Sequence, residues 1–195
     1  MKRLFDIFFS LLGLIILAPL LLVVSILIKL DSPGTVFFRQ ERVGKNFKPF
    51  SIYKFRSMTA DAPKSGPAIT VGGDMRVTRT GRFIRKYKLD ELPQLINVLK
   101  GDVSVVGPRP EVPKFVDIFR SDYKEILTIK PGITDYASIQ YRDEESVLAR
   151  YNNPEEGYIK EVLPAKIRLA KQYIREKSIS VDIAIILKTL YTIVR

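Results

Sequence analysis

The chain has 195 residues and carries 32 Lys and Arg against 21 Asp and Glu, a net charge of +11. It contains no cysteine and no histidine, which excludes disulfides and thiolate sites, argues against zinc, and removes the commonest general base. Any bound metal would be a hard, oxygen-ligated ion such as Mg²⁺ or Mn²⁺. The basic balance fits a nucleic acid, an anionic membrane surface or a polyphosphate substrate.

An apolar segment opens the chain. Residues 7–28 contain no charged side chain, and as a single helix they would extend about 33 Å, enough to cross a bilayer. A cleavable signal peptide fits poorly, because the apolar run is too long and no small-x-small cleavage site precedes Asp31. The segment is therefore predicted to be a membrane helix that is retained.

Two features favour a helix that enters the membrane and returns. Pro19, preceded by Ala18, removes a backbone hydrogen bond and is expected to break or kink the helix. Basic residues lie on both sides of the segment, and the positive-inside rule places both sides in the cytoplasm. A turn at Ala18-Pro19 leaves arms of about 12 and 9 residues, too short to span. Residues 1–30 are thus predicted to form a re-entrant helix-break-helix, with a kinked spanning helix as the alternative.

The middle of the chain alternates between turns and short elements. The Asp31-Ser-Pro-Gly34 turn ends the membrane segment. Residues 36–38 and 50–55 are predicted to be strands of a hairpin around the turn at 44–46. Residues 61–74 form a predicted loop, and residues 80–85 are predicted to be helical. Residues 91–99 are predicted to be a helix that ends at Gly101, with apolar residues at Leu92, Leu95, Ile96 and Leu99.

The C-terminal part is predicted to be helical. Helices are expected at 112–127, at 158–174 with a fresh start at Pro164, and at 178–194, with a turn at 130–134. An apolar stripe on the last helix would be either core or interfacial; it comprises Ile183, Ile186, Leu187, Leu190 and Ile193. The predicted fold class is α+β, mainly helical with a short β-hairpin.

The strongest functional signal is an acid pair followed by a proline-locked arginine. Asp90 and Glu91 stand at a predicted helix start, where carboxylates usually only cap the helix. Backbone N–H groups at a helix start also bind phosphate, and Arg109, between two prolines, presents a planar fork that matches phosphate oxygens. Adjacent helical residues point differently, so one carboxylate can attack phosphorus while the other holds a metal.

Several motifs in a fixed order resemble one family, the small monotopic phosphoglycosyl transferases (bacterial sugar transferase family). The resemblance covers nearly the whole chain. Its motifs are Asp31-Ser-Pro-Gly34, Phe38-Arg-Gln40, Arg42-Val-Gly44, Ile52-Tyr-Lys-Phe-Arg-Ser-Met58, Leu89-Asp-Glu-Leu-Pro-Gln-Leu95, Asn97-Val-Leu-Lys-Gly-Asp102, Val106-Gly-Pro-Arg-Pro110 and Pro131-Gly-Ile-Thr134.

The resemblance implies a reaction and a location. A sugar phosphate would move from a UDP-sugar to polyprenol phosphate with release of UMP, at the cytoplasmic face of the bacterial inner membrane. Asp90 would be the nucleophile, Glu91 the Mg²⁺ ligand and Arg109 a phosphate ligand. The family's membrane break maps onto Ala18-Pro19. Residues 31–195 would form the catalytic domain, with interfacial amphipathic helices on an anionic bilayer.

Further expectations concern the binding groups and the partners. A diphosphate carries more charge than one arginine matches, so Lys54, Arg56, Arg82 and Arg142 are additional phosphate-binding candidates. Many family members have glycines where this chain has Asp135 and Tyr141. If this segment contacts the nucleotide or the sugar, the substrate specificity is expected to differ from the better-known family pattern. The chain lacks the extra N-terminal membrane helices of larger relatives, which implies a minimal catalytic unit.

Two other functional classes stay open. Charge alone would suit a membrane-tethered nucleic-acid binder, but no recognisable binding motif supports one, and no nucleic-acid partner is expected. A non-catalytic scaffold that docks through the C-terminal helices would make the acid pair dispensable. The sugar and the oligomeric state are open, and a homodimer is one of the options.

Overall fold

The computed structural model describes residues 1–62 and 72–194, so most of the loop predicted at 61–74 lies outside the described residues. The elements in chain order are α1 (Lys2–Asp31), β1 (Phe37–Val43), β2 (Pro49–Phe55), α2 (Arg79–Lys86), α3 (Gln94–Lys100), β3 (Ser104–Val106), α4 (Pro113–Ile118), α5 (Arg120–Ile126), β4 (Gly132–Thr134), α6 (Tyr136–Gln140), α7 (Glu144–Leu148), α8 (Pro154–Gly157), α9 (Leu163–Glu176) and α10 (Ile179–Val194). The predicted α+β, mainly helical class is confirmed.

Helix α1 is long and apolar enough to cross a membrane by length and composition. The predicted break of the helix at Ala18-Pro19 is wrong, because Pro19 lies inside one continuous helix. The physical reason is that proline removes one backbone hydrogen bond while its fixed φ remains helical, so the bonds on either side preserve the helix. The re-entrant path through a bilayer is a separate question and stays a prediction.

Both ends of α1 are attached to the rest of the domain. Near its start, the guanidinium of Arg3 donates to the carbonyl of Leu99 at 2.8 Å. At its end, the carboxylate of Asp31 accepts from the backbone N–H of Thr80 at 2.8 Å. One side of the helix packs against the domain, and the opposite side exposes apolar residues along its length. Both termini of α1 are therefore bound to the same domain.

The predicted hairpin is confirmed, and β1 is longer than predicted. β1 and β2 are antiparallel, with Phe37 opposite Phe55, and the connection contains a short 3₁₀ turn at Lys45–Phe47. Asn97 of α3 fixes β2 in place, because it accepts from the backbone N–H of Tyr53 at 2.9 Å and donates to the carbonyl of Ser51 at 2.8 Å. The hairpin and α3 thus form one rigid unit.

A second, parallel sheet was not predicted. Residues 132–134 form β4 rather than part of a turn, and Ser104 pairs with Gly132. Three-residue strands are too short to show an alternating pattern, and their pairing is not local in sequence. Backbones cross closely here, since a Cβ on Gly132 would lie 2.1 Å from the nitrogen of Gly107. Both glycines are therefore required by the close approach.

The C-terminal helices follow the prediction with two changes. The helix predicted at 112–127 is interrupted at Phe119, whose φ of −111° and ψ of 36° leave the helical region. A π-helical segment, Tyr158–Val162, precedes the fresh start that Pro164 makes in α9. The stripe on α10 is exposed at Ile183, Leu187 and Leu190, whereas Ile186 packs against a buried cluster that contains Ile185. The largest buried cluster lies instead between α4, α5, α7, the π-helical segment and α9.

Candidate active site

The acid pair lies in a 3₁₀ turn that leads into α3. The turn covers Leu89–Glu91, and Lys88 before it has a left-handed backbone with φ of 53°. Leu92 and Pro93 have right-handed helical angles, so the chain continues without a break into α3. The predicted helix is confirmed, but its regular α-helical part begins three residues later than predicted.

Asp90 is buried, with 7% of its surface exposed. Its Oδ1 has no hydrogen-bond partner among the described residues. Burial raises the pKa of the Asp90 carboxyl, and the positive charge of Lys54 opposes this. A carboxylate oxygen is therefore held in the interior without a bond that would have to be broken before it reacts.

Glu91 is bound by two cations. Nη1 of Arg109 donates to its Oε2 at 3.0 Å, Nη2 of Arg109 donates to Oε1, and Nζ of Lys54 donates to Oε1 at 3.0 Å. Burial alone would raise the pKa of the Glu91 carboxyl, but Arg109 and Lys54 together hold it well below its usual range. Glu91 is thus ionised at neutral pH and held between two basic side chains.

Arg109 is aimed by the backbone around it. Gly107 donates to the carbonyl of Thr134 at 3.1 Å, and Gly132 donates to that of Pro108 at 2.9 Å, which fixes the proline-locked loop on β4. Oδ2 of the buried Asp135 accepts from the backbone N–H of Arg109 at 3.1 Å. Asp135 therefore positions Arg109. From the sequence, Asp135 was notable only because many family members have glycine there.

Lys54 reaches the cluster from β2, which packs against α3. Burial lowers the pKa of the Lys54 ammonium, and the carboxylate of Glu91 opposes that effect. Its side chain is 18% exposed, so its charge interacts more strongly than one at the open surface. Of the additional phosphate-binding candidates, Lys54 is the one whose side chain bonds to the acid pair.

The structure places the other three candidates elsewhere. Arg56 is buried, and its guanidinium donates to the carbonyls of Pro33 at 2.6 Å and Ser32 at 2.7 Å, behind the end of α1. Arg142 donates to the carbonyl of Ile193 at 3.2 Å. Arg82 is exposed on α2. We assign Arg56 a structural role.

Sequence reasoning missed two basic residues near Asp90. The charges of Arg85 and Lys88 favour its ionised form. Arg85 is held in place by an ion pair with Glu145 and by a bond of 3.3 Å to Oγ of Ser57. Arg85 lies five residues and Lys88 two residues before Asp90, within a basic run. That proximity is the sequence feature that could have indicated both residues.

A magnesium site here would be sparse. Within residues 1–62 and 72–194 there is no group of three or more acidic side chains that could enclose an ion. Mg²⁺ is commonly held by one or two carboxylates together with substrate phosphates. The ionised Glu91 fits that sparse kind of site, completed by phosphate oxygens, and the arrangement does not fit an all-protein cage.

Comparison with known proteins identifies relatives. A family model described as "Bacterial sugar transferase" matches residues 1–195. The chain is 40% identical to the UDP-N-acetylgalactosamine-undecaprenyl-phosphate N-acetylgalactosaminephosphotransferase of Aeromonas hydrophila, over 98% of this chain and 43% of that protein. It is 37% identical to the UDP-glucose:undecaprenyl-phosphate glucose-1-phosphate transferase of Escherichia coli (strain K12), over 98% of this chain and 39% of that protein.

A shorter relative is matched over more of its length. The chain is 48% identical to the exopolysaccharide production protein PSS of Rhizobium leguminosarum bv. phaseoli, over 72% of this chain and 74% of that protein. The chain thus spans less than half the length of the Aeromonas and Escherichia proteins.

Proposed function

Because the chain belongs to the bacterial sugar transferase family, we propose that it transfers a sugar phosphate from a UDP-sugar to polyprenol phosphate. The observation that carries the proposal is the pairing of a buried, unpartnered oxygen on Asp90 with a neighbouring carboxylate bound by Arg109 and Lys54. The names of relatives from two bacteria, which specify UDP-sugars and undecaprenyl phosphate, support the substrate class.

The proposed chemistry has two steps at Asp90. A carboxylate oxygen of Asp90 attacks the phosphorus that carries the sugar; a P–O bond forms, and the bond to the other phosphate breaks, so UMP leaves with the bonding electrons. A phosphate oxygen of polyprenol phosphate then attacks the same phosphorus and releases the Asp90 carboxylate. Since the two substrates react in turn, one small site serves both a soluble donor and a lipid acceptor.

The cations of the cluster have a defined task in this scheme. Arg109 presents a two-nitrogen fork and Lys54 a point charge, and both offset repulsion between the Asp90 carboxylate and the incoming diphosphate. Mg²⁺, with Mn²⁺ as a substitute, would be held by Glu91 and would supply further neutralisation of the diphosphate charge. A metal that replaced Lys54 or Arg109 on Glu91 would free that cation for phosphate.

The attachment of α1 supports a monotopic arrangement. A helix that crossed the bilayer would carry its two ends to opposite sides, yet both ends of α1 bond to one domain. We therefore propose that the continuous α1 inserts into the cytoplasmic face of the bacterial inner membrane without crossing it, with Ala18-Pro19 in the bilayer. The exposed apolar side chains of α1 and α10 would face lipid, and nearby Lys and Arg would each contribute about 1 kcal/mol on anionic headgroups.

Two linked measurements test the function. Purified protein is incubated with polyprenol phosphate and each of a panel of UDP-sugars, and UMP release is followed. Intact mass spectrometry with donor alone should then show a sugar-phosphate adduct on the wild type and none on Asp90→Asn. Asp117→Asn is the matched control, because the side chain of Asp117 is 65% exposed and lies in an ion pair with Arg120 on the surface.

The outcomes separate the functional classes. An adduct that persists on Asp90→Asn, or kinetics that require both substrates bound together, would contradict the covalent mechanism. A wild type that releases no UMP from any donor, and binds DNA in a salt-dependent way, would favour the nucleic-acid alternative. Absence of both activities would favour the scaffold.

A further inference from the structure

Gln94, the first residue of α3, is buried, and its side-chain nitrogen lacks a hydrogen bond in the described part of the chain. Its side chain is 1% exposed, and its Nε2 has no partner within the described residues. Buried side-chain amides are nearly always hydrogen-bonded, because leaving a donor unsatisfied away from water costs free energy. An unpaired amide at full burial therefore requires an explanation beyond packing.

The location of Gln94 relates it to the acid pair. The helical backbone is continuous from the 3₁₀ turn through Leu92 and Pro93 into α3, so Asp90 and Gln94 lie about one turn apart on one helical segment. Both carry an unpartnered buried atom: an acceptor, Oδ1, on Asp90 and a donor, Nε2, on Gln94. The two unsatisfied atoms belong to residues about one helical turn apart, and they do not bond to each other.

Asn97, one turn further along the same buried face, shows that packing here can satisfy an amide. It is fully buried, accepts from the backbone N–H of Tyr53 at 2.9 Å, and donates to the carbonyl of Ser51 at 2.8 Å and to the carboxylate of Asp102 at 3.0 Å. Asn97 thus makes the hydrogen bonds that join α3 to β2 and to Asp102. The unused donor of Gln94, nearer to Asp90, calls for a different partner.

We propose that Gln94 binds the transferred phosphoryl group, donating an Nε2–H to one of its non-bridging oxygens; this inference rests on the proposed function. When phosphorus is bonded to Asp90, its other oxygens lie within reach of a side chain one helical turn away. Arg109 and Lys54 approach the acid pair through Glu91, whereas Gln94 supplies an uncharged donor from α3. The Nε2–H of Gln94 loses its contact with water when the protein folds. It is therefore already in place to stabilise negative charge that develops on the phosphoryl oxygens during the reaction.

Replacement of Gln94 by methionine tests the idea, because methionine has a similar unbranched shape and no donor. The rate of sugar-phosphate adduct formation with UDP-sugar alone should fall by about 10²-fold, as when other preorganised donors are removed. The Tm of the unliganded protein should rise by about 2–6 °C, because an unsatisfied buried amide is lost. Asn97→Leu is the matched control, and its Tm should fall, because three hydrogen bonds are removed.

The opposite signs of the two readouts make the test decisive. A Gln94→Met protein with a lower Tm would show that the amide has a structural partner and would overturn the inference. An adduct rate equal to that of the wild type would overturn it as well, while the proposed function would stand on the wild-type adduct. If the wild type formed no adduct and released no UMP, the proposed function and this inference would fail together.

Discussion

The ion pair between Glu91 and Arg109 should couple the two residues energetically in the unliganded protein. Nη1 of Arg109 lies 3.0 Å from Oε2 of Glu91, and the side chains are 31% and 13% exposed. At an effective dielectric constant of about 20, two unit charges at this distance attract by about 5.5 kcal/mol. Desolvation offsets part of that attraction, so the expected coupling energy is about 2–3 kcal/mol.

A double-mutant cycle measures this coupling. Glu91→Gln, Arg109→Met and the double variant are unfolded by heat in one detergent, without metal or substrate. Glu91→Gln leaves both Arg109 and Lys54 without their carboxylate, Arg109→Met leaves Glu91 with Lys54 alone, and the double change removes both charges of the ion pair under test. The Tm losses of the single variants should therefore sum to more than the loss of the double variant, by about 4–12 °C for a protein of this size.

A second cycle provides the reference. Lys114 and Glu155 form an ion pair whose side chains are 57% and 35% exposed, and exposed pairs of this kind contribute about 0–1 kcal/mol. This cycle should be additive within the error of the measurement. If the cycle at Glu91 and Arg109 were equally additive, the ion pair described here would not contribute in solution, and the proposed exchange of Glu91 from cations to metal would lose its basis.

Further predictions address binding, metal use and topology. Arg109→Lys should lower kcat/KM for the UDP-sugar about tenfold or more in steady-state assays, because an ammonium does not reproduce the guanidinium fork; wild-type turnover would contradict bidentate binding. EDTA should stop UMP release and added Mg²⁺ should restore it, whereas full activity in chelator would remove the metal from the scheme. Asp135→Ala should raise the KM and lower stability by about 1 kcal/mol in thermal unfolding, because Asp135 caps α6 and holds the backbone of Arg109; an unchanged KM would exclude the positioning role. Lys2→Cys should label with an impermeant thiol reagent from the cytoplasmic side, and labelling only from the periplasmic side would overturn the re-entrant topology.

Local patterns were enough to determine much of this fold. The uncharged stretch at 7–28 predicted α1, and the turn residues at 44–46 predicted the hairpin, because side-chain hydrophobicity and backbone preference act over a few residues. The acid pair and Arg109 were predicted as site residues for the same reason, since each stands in a short segment of unusual composition. The sequence also indicated that a proline lies within the membrane helix, but not that the helix continues through it.

The tertiary structure alone decided which residues meet. Lys54 and Arg56 are two positions apart and equally basic, yet one bonds to Glu91 and the other to carbonyls behind α1. The partners of Glu91 lie 37 and 18 residues away in the chain, and Gln94 became notable only when its burial without a partner was visible. Such pairings depend on how separate elements pack and on which buried polar groups they satisfy, and neither is encoded in local periodicity.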